Sequence, residues 1–378
     1  MQVYKKQGGF VNNTLKTFLL IISLTVSFEV FAADVHGISP EDAKKIIKKY
    51  GRAVTELESI LLKEISKIPD ITTHSENDPN SQLESKSERE YQEKRIALTN
   101  KIIKENGYLF VDFQTIIYPN QDKNKLYTTI EIIDQQHAER MRFVNKTRPE
   151  HALAQNRAHQ QDLIEEMIRY NNIGFDLLLN HQISSVAPPC PVYHCVEGFE
   201  HPQLKPYLTR FNNGVITNKK LIIETITHDP SPERRAAAAF LIGHFQDPHE
   251  IITVLSPHIA DQDEGVRNNV MRVIGATMAK TKISNLDLTP FLNALDSPYT
   301  TDRNKALYVL FNAADSKKMK RLILQKGGDK LLALMQLQQP NNHEFAYLIL
   351  QKISGKDFGP TNQLAWGKWV SSAKRQLT

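Results

Sequence analysis

Cysteine is nearly absent from this chain, which has two among 378 residues, Cys190 and Cys195. A pair cannot serve as the framework of a fold this long, so a disulfide scaffold is excluded. With 16 Gly and 18 Pro, neither in a short period, and 40% apolar residues, collagen-like and disordered classes are excluded too. Charge of one sign is also lacking, since 47 Lys and Arg face 42 Asp and Glu, a net +5. So weak a balance does not mark a nucleic-acid binder. No phosphate loop, nucleophile elbow, His pair at zinc-protease spacing or Gly-rich dinucleotide fingerprint occurs. No catalytic residue is therefore assigned, no cofactor is expected, and the reading is of a protein that is not an enzyme.

Long apolar runs are missing except at the N-terminus. Lys5, Lys6 and Lys16 precede an apolar stretch from Phe18 to Ala32 broken by Glu29, and Val30-Phe31-Ala32 offers small residues at −3 and −1. This pattern predicts a signal peptide over 1–32 cleaved before Ala33. An uncleaved anchor is the competing reading, but about 15 apolar residues fall short of the roughly 20 that span a bilayer. The expected mature chain carries 44 basic and 41 acidic residues, is not membrane-spanning, and works in an oxidising space, periplasmic or extracellular.

Ser39-Pro40-Glu41-Asp42 has the N-cap, first-position Pro and early acids of a helix start. Ile46, Ile47, Tyr50, Val54, Leu57, Leu61, Leu62 and Ile65 then recur at helical spacing. Residues 70 to 88 are almost entirely polar and read as a loop. A second helix from about Glu88 should stop at Asn106-Gly107. Alternation over Leu109, Val111, Phe113 and Ile117 predicts a strand, and Leu126 to Ile133 a second, joined through Tyr118-Pro119-Asn120 as an antiparallel hairpin. One face of it must be covered by the two helices. This helix, helix, hairpin order with its "TTIEIID" strand resembles the polypeptide-transport-associated (POTRA) modules of outer-membrane assembly proteins. Residues 33–145 are thus expected to form a small α+β domain. Thr147-Arg148-Pro149-Glu150 has capping-box spacing and opens a helical connector over 146–200.

From residue 201 strand alternation vanishes and the chain recurs every 32 to 36 residues. Asp229 stands six residues before Arg235, Asp261 six before Arg267, and Asp296 seven before Arg303. A helix follows each Arg ("RAAAAFLIGHF", "RNNVMRVIGAT", "RNKALYVLFNA"), then a turn and a second apolar helix. These residues resemble HEAT-like repeats of the armadillo type. The resemblance implies that the six charged residues form an inter-repeat ladder and that 201–378 is an α-solenoid of stacked hairpins, mostly α overall. A degenerate unit at 201–229 precedes the clear ones, and a last one begins near Asn341. Trp366 and Trp369, three apart, are expected to cap the end. Residues 188 to 211 resemble a stretch that precedes the repeats in exported bacterial proteins without established activity.

Two places bear on function. Cys190 and Cys195 flank a Pro-containing bend, and in an oxidising compartment they most simply close a short disulfide loop. A zinc site from Cys190, His194, Cys195 and His201 has suitable ligand types and is the alternative, making the protein metal-binding or an enzyme; Cys195 activated by His194 is the remote one. Lys317, Lys318, Lys320, Arg321, Lys326 and Lys330 cluster around one helix and could meet an acidic partner or an anionic glycan or lipid head group, a solvated face being the plainer account. The ladder residues are explained by structure alone, as are His244, His249 and His258 on the first clear repeat. The expected function is a scaffold that holds another protein on the solenoid surface. Alkylating the native protein without reductant should leave both cysteines unmodified by mass spectrometry; two alkylated thiols, or thiols exposed only by a chelator, would favour the zinc site.

Overall fold

The computed structural model describes residues 33–67, 86–118, 125–144, 162–180, 182–183 and 189–377. The expected signal peptide, most of the polar loop after residue 70, the turn at 119–124 and the capping box Thr147–Glu150 lie outside these residues. The described chain is mostly helical with one three-stranded sheet.

Helix α1 (Pro40–Lys67) starts where its cap signals stand, the Ser39 hydroxyl accepting the Asp42 amide at 3.1 Å. Ile46, Tyr50, Val54, Leu57 and Ile60 form its buried stripe, and Leu62 is left exposed. Helix α2 (Lys86–Asn106) begins two residues earlier than its composition suggests and ends at Gly107, whose φ of +70° suits the residue without a Cβ. Strands β2 (Phe110–Tyr118) and β3 (Lys125–Ile133) pair antiparallel with Val111 opposite Ile132 and Phe113 opposite Ile130. A strand not expected from the sequence, β1 (Asp34–His36), adds to β3 in parallel, giving the order β1-β3-β2. Three residues are too few to show alternation.

Both faces of the sheet are buried. Val111, Phe113, Ile130 and Ile132 pack under α1 and α2 with Tyr50, Val54, Leu98 and Ile102. The opposite face presents Asp34, His36, Thr129 and Glu131 to the second half of the chain. There follow a 3-10 helix (Gln135–Phe143), α3 (Leu163–Leu179), α4 (Lys205–Thr217), α5 (Lys219–His228), α6 (Pro232–Ile242), α7 (Pro248–Leu255), α8 (Glu264–Thr281), α9 (Thr289–Ala294), α10 (Thr300–Ala313), α11 (Lys317–Leu334), α12 (Pro340–Ser354) and α13 (Gln363–Arg375). Helices α3, α6, α8, α10 and α12 touch in succession, while α5, α7, α9 and α11 each back the helix that follows. Trp366 is fully buried with its Nε1 donating to Gly359 O at 2.8 Å, and Trp369 meets it edge to face at 6.1 Å, so both serve packing.

A line of arginines joins the first row. The Nη1 groups of Arg235, Arg267 and Arg303 donate to the carbonyl six residues earlier, those of Asp229, Asp261 and Ser297, at 2.9, 2.8 and 2.7 Å. Arg235 then grips Asp261 through two bonds of 2.9 and 2.8 Å, and Arg267 pairs with Asp302 at 2.8 Å. Two expected positions differ. Asp296 stands outside this line, binding Lys330 at 2.8 Å and lying 3.4 Å from Arg142; Ser297 occupies its place in the turn, and the carboxylate has moved to Asp302, which accepts the Ser297 hydroxyl at 2.7 Å. The Asp229 carboxylate is bound by Arg234 at 2.9 Å rather than by Arg235, and Arg234 reaches Asp162 and Glu165 as well.

The last rung lacks a carboxylate. Arg303, wholly buried, finds only the neutral Asn342 Oδ1 at 2.8 Å, where Arg235 and Arg267 find aspartates. Its missing counter-charge is Glu131 of β3, which receives Arg303 Nη2 and lies 2.9 Å from His36 Nδ1. Arg140 of the 3-10 helix seals the seam by donating to Ile132 O at 3.0 Å and Asp296 O at 2.8 Å, and Asp34 accepts the Gln338 amide at 2.5 Å. Residues 33–143 and the helices beyond are therefore one compact unit. Burial alone would raise the Glu131 carboxyl, but Arg303 and His36 hold it down at about 2, below its ordinary 4.5. A depressed carboxylate adds stability above its unfolded value and loses it as pH falls towards the folded one. Urea unfolding should find Glu131→Gln weaker than the parent by about 3 kcal/mol near pH 7, a gap that closes between roughly pH 4.5 and 2. A gap unchanged by acid would mean that the Glu131 charge does not lock the seam.

Candidate functional site

Cys190 and Cys195 form a disulfide with Cα atoms 5.7 Å apart. The loop that it closes lies across α6 and the end of α8. Tyr193 donates its amide to Gly243 O at 3.1 Å and its hydroxyl to Gln246 O at 3.3 Å, and Lys280 on α8 donates to the carbonyls of Cys190, at 2.8 Å, and Val192. His194 stacks on Phe240 of α6 with ring centres 5.0 Å apart and planes 6° from parallel. Further on, Phe199 stacks on Tyr170 of α3 at 5.1 Å, and the Tyr170 hydroxyl donates to Gly198 O at 2.7 Å. The first part of the α3-α6-α8-α10-α12 row is thus covered by this segment.

With both sulfurs in the disulfide, the alternative zinc set has no thiolates, and among the described residues no group of three or more His, Cys, Asp or Glu is arranged to hold a metal. His194 is buried with its Nδ1 unpartnered, and burial, followed by the charges of Arg272, His244, Lys305 and Lys280, pushes its pKa well below the ordinary value. A neutral ring suits its stack. His201 accepts the Gln203 amide at 3.3 Å. His244 is also buried, held by Asn212 at 2.9 Å and lowered by burial to about 4.

Beyond the loop the row is open among the described residues. Arg272 on α8 and Lys305 on α10 are half-buried neighbours here. The two helices run parallel, for Arg267 pairs with Asp302 near their starts and Asn312 donates to Gly275 O at 3.4 Å further along. A Cβ at Gly275 would lie 2.4 Å from the Tyr308 ring, so glycine permits this close approach. One turn earlier on each helix stand Arg272 and Lys305. Burial, with the charge of Arg272 acting in the same direction, lowers the pKa of Lys305 to about 7. Burial likewise lowers Arg272, against the opposing pull of Glu197 on the disulfide-bearing segment. Tyr308 and Phe345 of α12 extend the surface, their rings 5.9 Å apart.

The basic cluster anticipated on α11 is in the other row of helices. Lys317, Lys318, Arg321 and Lys326 are exposed there, but Lys320 donates to Lys352 O at 2.8 Å and Lys330 to Leu292 O and Asp296. Sequence reasoning passed over Arg272, Lys305 and Glu197. The available signal was spacing: Arg272 has no acid three or four residues to either side, and Lys305 has one, Asp302, which is taken up by Arg267 and Ser297.

No protein-family model matches the chain, and neither a curated protein nor a solved structure was found similar to it. No helix among the described residues is long and apolar enough to cross a membrane. Replacing Cys190 and Cys195 together by Ser should cost about 2 kcal/mol, because a loop this short removes little unfolded-state entropy. The lowered thermal midpoint should come with unchanged far-ultraviolet circular dichroism, since Tyr193, His194 and Lys280 hold the segment independently. Loss of helix would show that the disulfide organises the row itself.

Proposed function

We propose that the protein is a non-enzymatic scaffold, exported to the periplasm or the cell exterior, that holds a polypeptide partner on a HEAT-like stack of helical hairpins. In this reading α4 to α13 form the solenoid and residues 33–145 a POTRA-like module bolted to its side. The helix, helix, hairpin order supports the second assignment, and the Arg235, Arg267 and Arg303 line the first. The disulfide is compatible with export.

One observation carries the functional reading. The row face of α8, α10 and α12 bears Arg272, Lys305, Tyr308 and Phe345, side chains that keep part of their surface open. Arg272, Lys305 and Tyr308 nonetheless have pKa values displaced chiefly by burial. Groups that are both partly accessible and poorly hydrated support the reading of this face as a binding surface. Stacked hairpins offer such an extended surface in place of a deep pocket, and aromatic and Arg side chains supply most of the binding energy in protein interfaces.

A photo-crosslinking residue at Tyr308 or Phe345 should capture one and the same polypeptide in the native host, identified by mass spectrometry and then shown to bind when purified. The same residue at Lys44, on the exposed side of α1, should not. No shared polypeptide from the two face positions, or equal capture from Lys44, would overturn the reading.

A further inference from the structure

Four arginines of the first row are held by side chains around them. Arg234 holds Asp229, Asp162 and Glu165, Arg235 holds Asp261, Arg267 holds Asp302, and Arg303 holds Asn342 and Glu131. Arg272, on the same row, makes no hydrogen bond or ion pair among the described residues. Its neighbour Lys305 has one bond, to the side-chain oxygen of Asn304 next to it at 2.7 Å. Two basic groups without an ion-pair partner at bonding distance thus share a poorly hydrated face and repel each other when both are charged. Such an arrangement costs stability unless an anion completes it.

The groups around the pair define what would fit. Lys280 is already occupied by two carbonyls of the disulfide loop. His194, neutral and stacked on Phe240, brings no charge and forms an apolar flank. Glu197 is the one acid acting on Arg272, and burial raises its pKa while Arg272 pulls it back down. With Lys305 protonated, as an arriving anion would favour, two cations and one carboxylate leave a single positive charge. A guanidinium offers paired N–H donors that match a carboxylate in two-point contact, and the ammonium adds a third donor from the side. A carboxylate with one negative charge balances the cluster, whereas a phosphate dianion would overfill it. Tyr308 and Phe345, continuing along the row, supply apolar area for the chain that carries the group.

We propose that Arg272 and Lys305 form a binding site for a carboxylate side chain, presented by an acidic residue of the polypeptide held on this face. The site rests on the scaffold reading above, and it assigns one determinant of that partner: an Asp or Glu that lies beside the disulfide-closed loop.

The test uses the whole protein and three probes: an acetylated, amidated Ala-rich peptide with one central Glu, the same peptide with Gln, and inorganic phosphate. Acylation of each lysine near pH 7.5 is followed by mass spectrometry. With its proton held so weakly, Lys305 should react several-fold faster than Lys317 or Lys318 despite being less exposed. The Glu peptide, at roughly millimolar concentration, should slow Lys305 at least about fivefold without affecting Lys317, while the Gln peptide does not, and Arg272→Gln should abolish the protection. Arg272→Gln and Lys305→Gln should each leave the thermal midpoint unchanged or raised, because each relieves repulsion; a structural cation would lower it. Equal protection by Glu and Gln peptides, protection by phosphate as good as by the Glu peptide, or no protection at all would overturn the carboxylate site. Capture at Tyr308 and Phe345 scores the scaffold reading separately, so loss of the carboxylate site leaves that reading standing.

Discussion

A positive charge with no water around it must find a negative one, and Arg303 meets that requirement from outside the helix row. Arg235 and Arg267 each lean on an acid from further along the chain, Asp261 and Asp302. At the corresponding place Arg303 has Asn342, which accepts a hydrogen bond but brings no charge. Glu131, from the central strand of the sheet, supplies it. The sheet face that would otherwise be solvated is consequently buried, and His36, Arg140 and Asp34 organise around the contact. Removing a partner from such a pair strands a buried charge, a larger penalty than any single surface contact carries.

The same accounting separates the two ends of the row. Where the Cys190–Cys195 loop lies, aromatic stacking on Phe240 and Tyr170 covers the helices, and Lys280 is held by two carbonyls of the loop. Past the loop, Arg272 and Lys305 have Glu197 as the one acid acting on the pair. The loop therefore marks the boundary between a sealed and an unsealed portion of one continuous surface, and the binding proposal is confined to the unsealed portion.

Much of the local structure was readable in the sequence because it depends on near neighbours. Ser39-Pro40, Asn106-Gly107, the alternation around Val111 and Phe113, and the period separating Arg235, Arg267 and Arg303 each state a short-range constraint. The disulfide needed only the short spacing of the two cysteines. What escaped depends on distant chain segments. Asp302 could replace Asp296 because a carboxylate six residues along the chain reaches the same guanidinium across a turn, which spacing alone does not reveal. β1 is three residues long and acquires its identity from pairing with β3. Glu131 read as one polar member of a Thr- and Ile-rich strand, although a lone acid between Ile130 and Ile132 was a hint that something cationic would be needed. Arg272 was legible only as a cation without an acid at helical spacing, Lys305 has Asp302 three residues before it but that acid is engaged by Arg267, and the adjacency of the two cations required the parallel packing of α8 on α10.

The seam also orders events in time. Glu131 and Arg303 are 172 residues apart in the chain, Arg140 and Asp296 156 apart, and Asp34 and Gln338 304 apart. The N-terminal sheet therefore emerges from synthesis or translocation long before the residues that neutralise it. Until the segment around 296–342 arrives, the acid and histidine of the sheet stay hydrated and the sheet has only its α1 and α2 face covered. Contacts of such long sequence separation form late and slowly, and the surfaces awaiting them stay open to wrong partners in the interval. Truncation before Arg303 would leave a sheet with an unmet electrostatic demand.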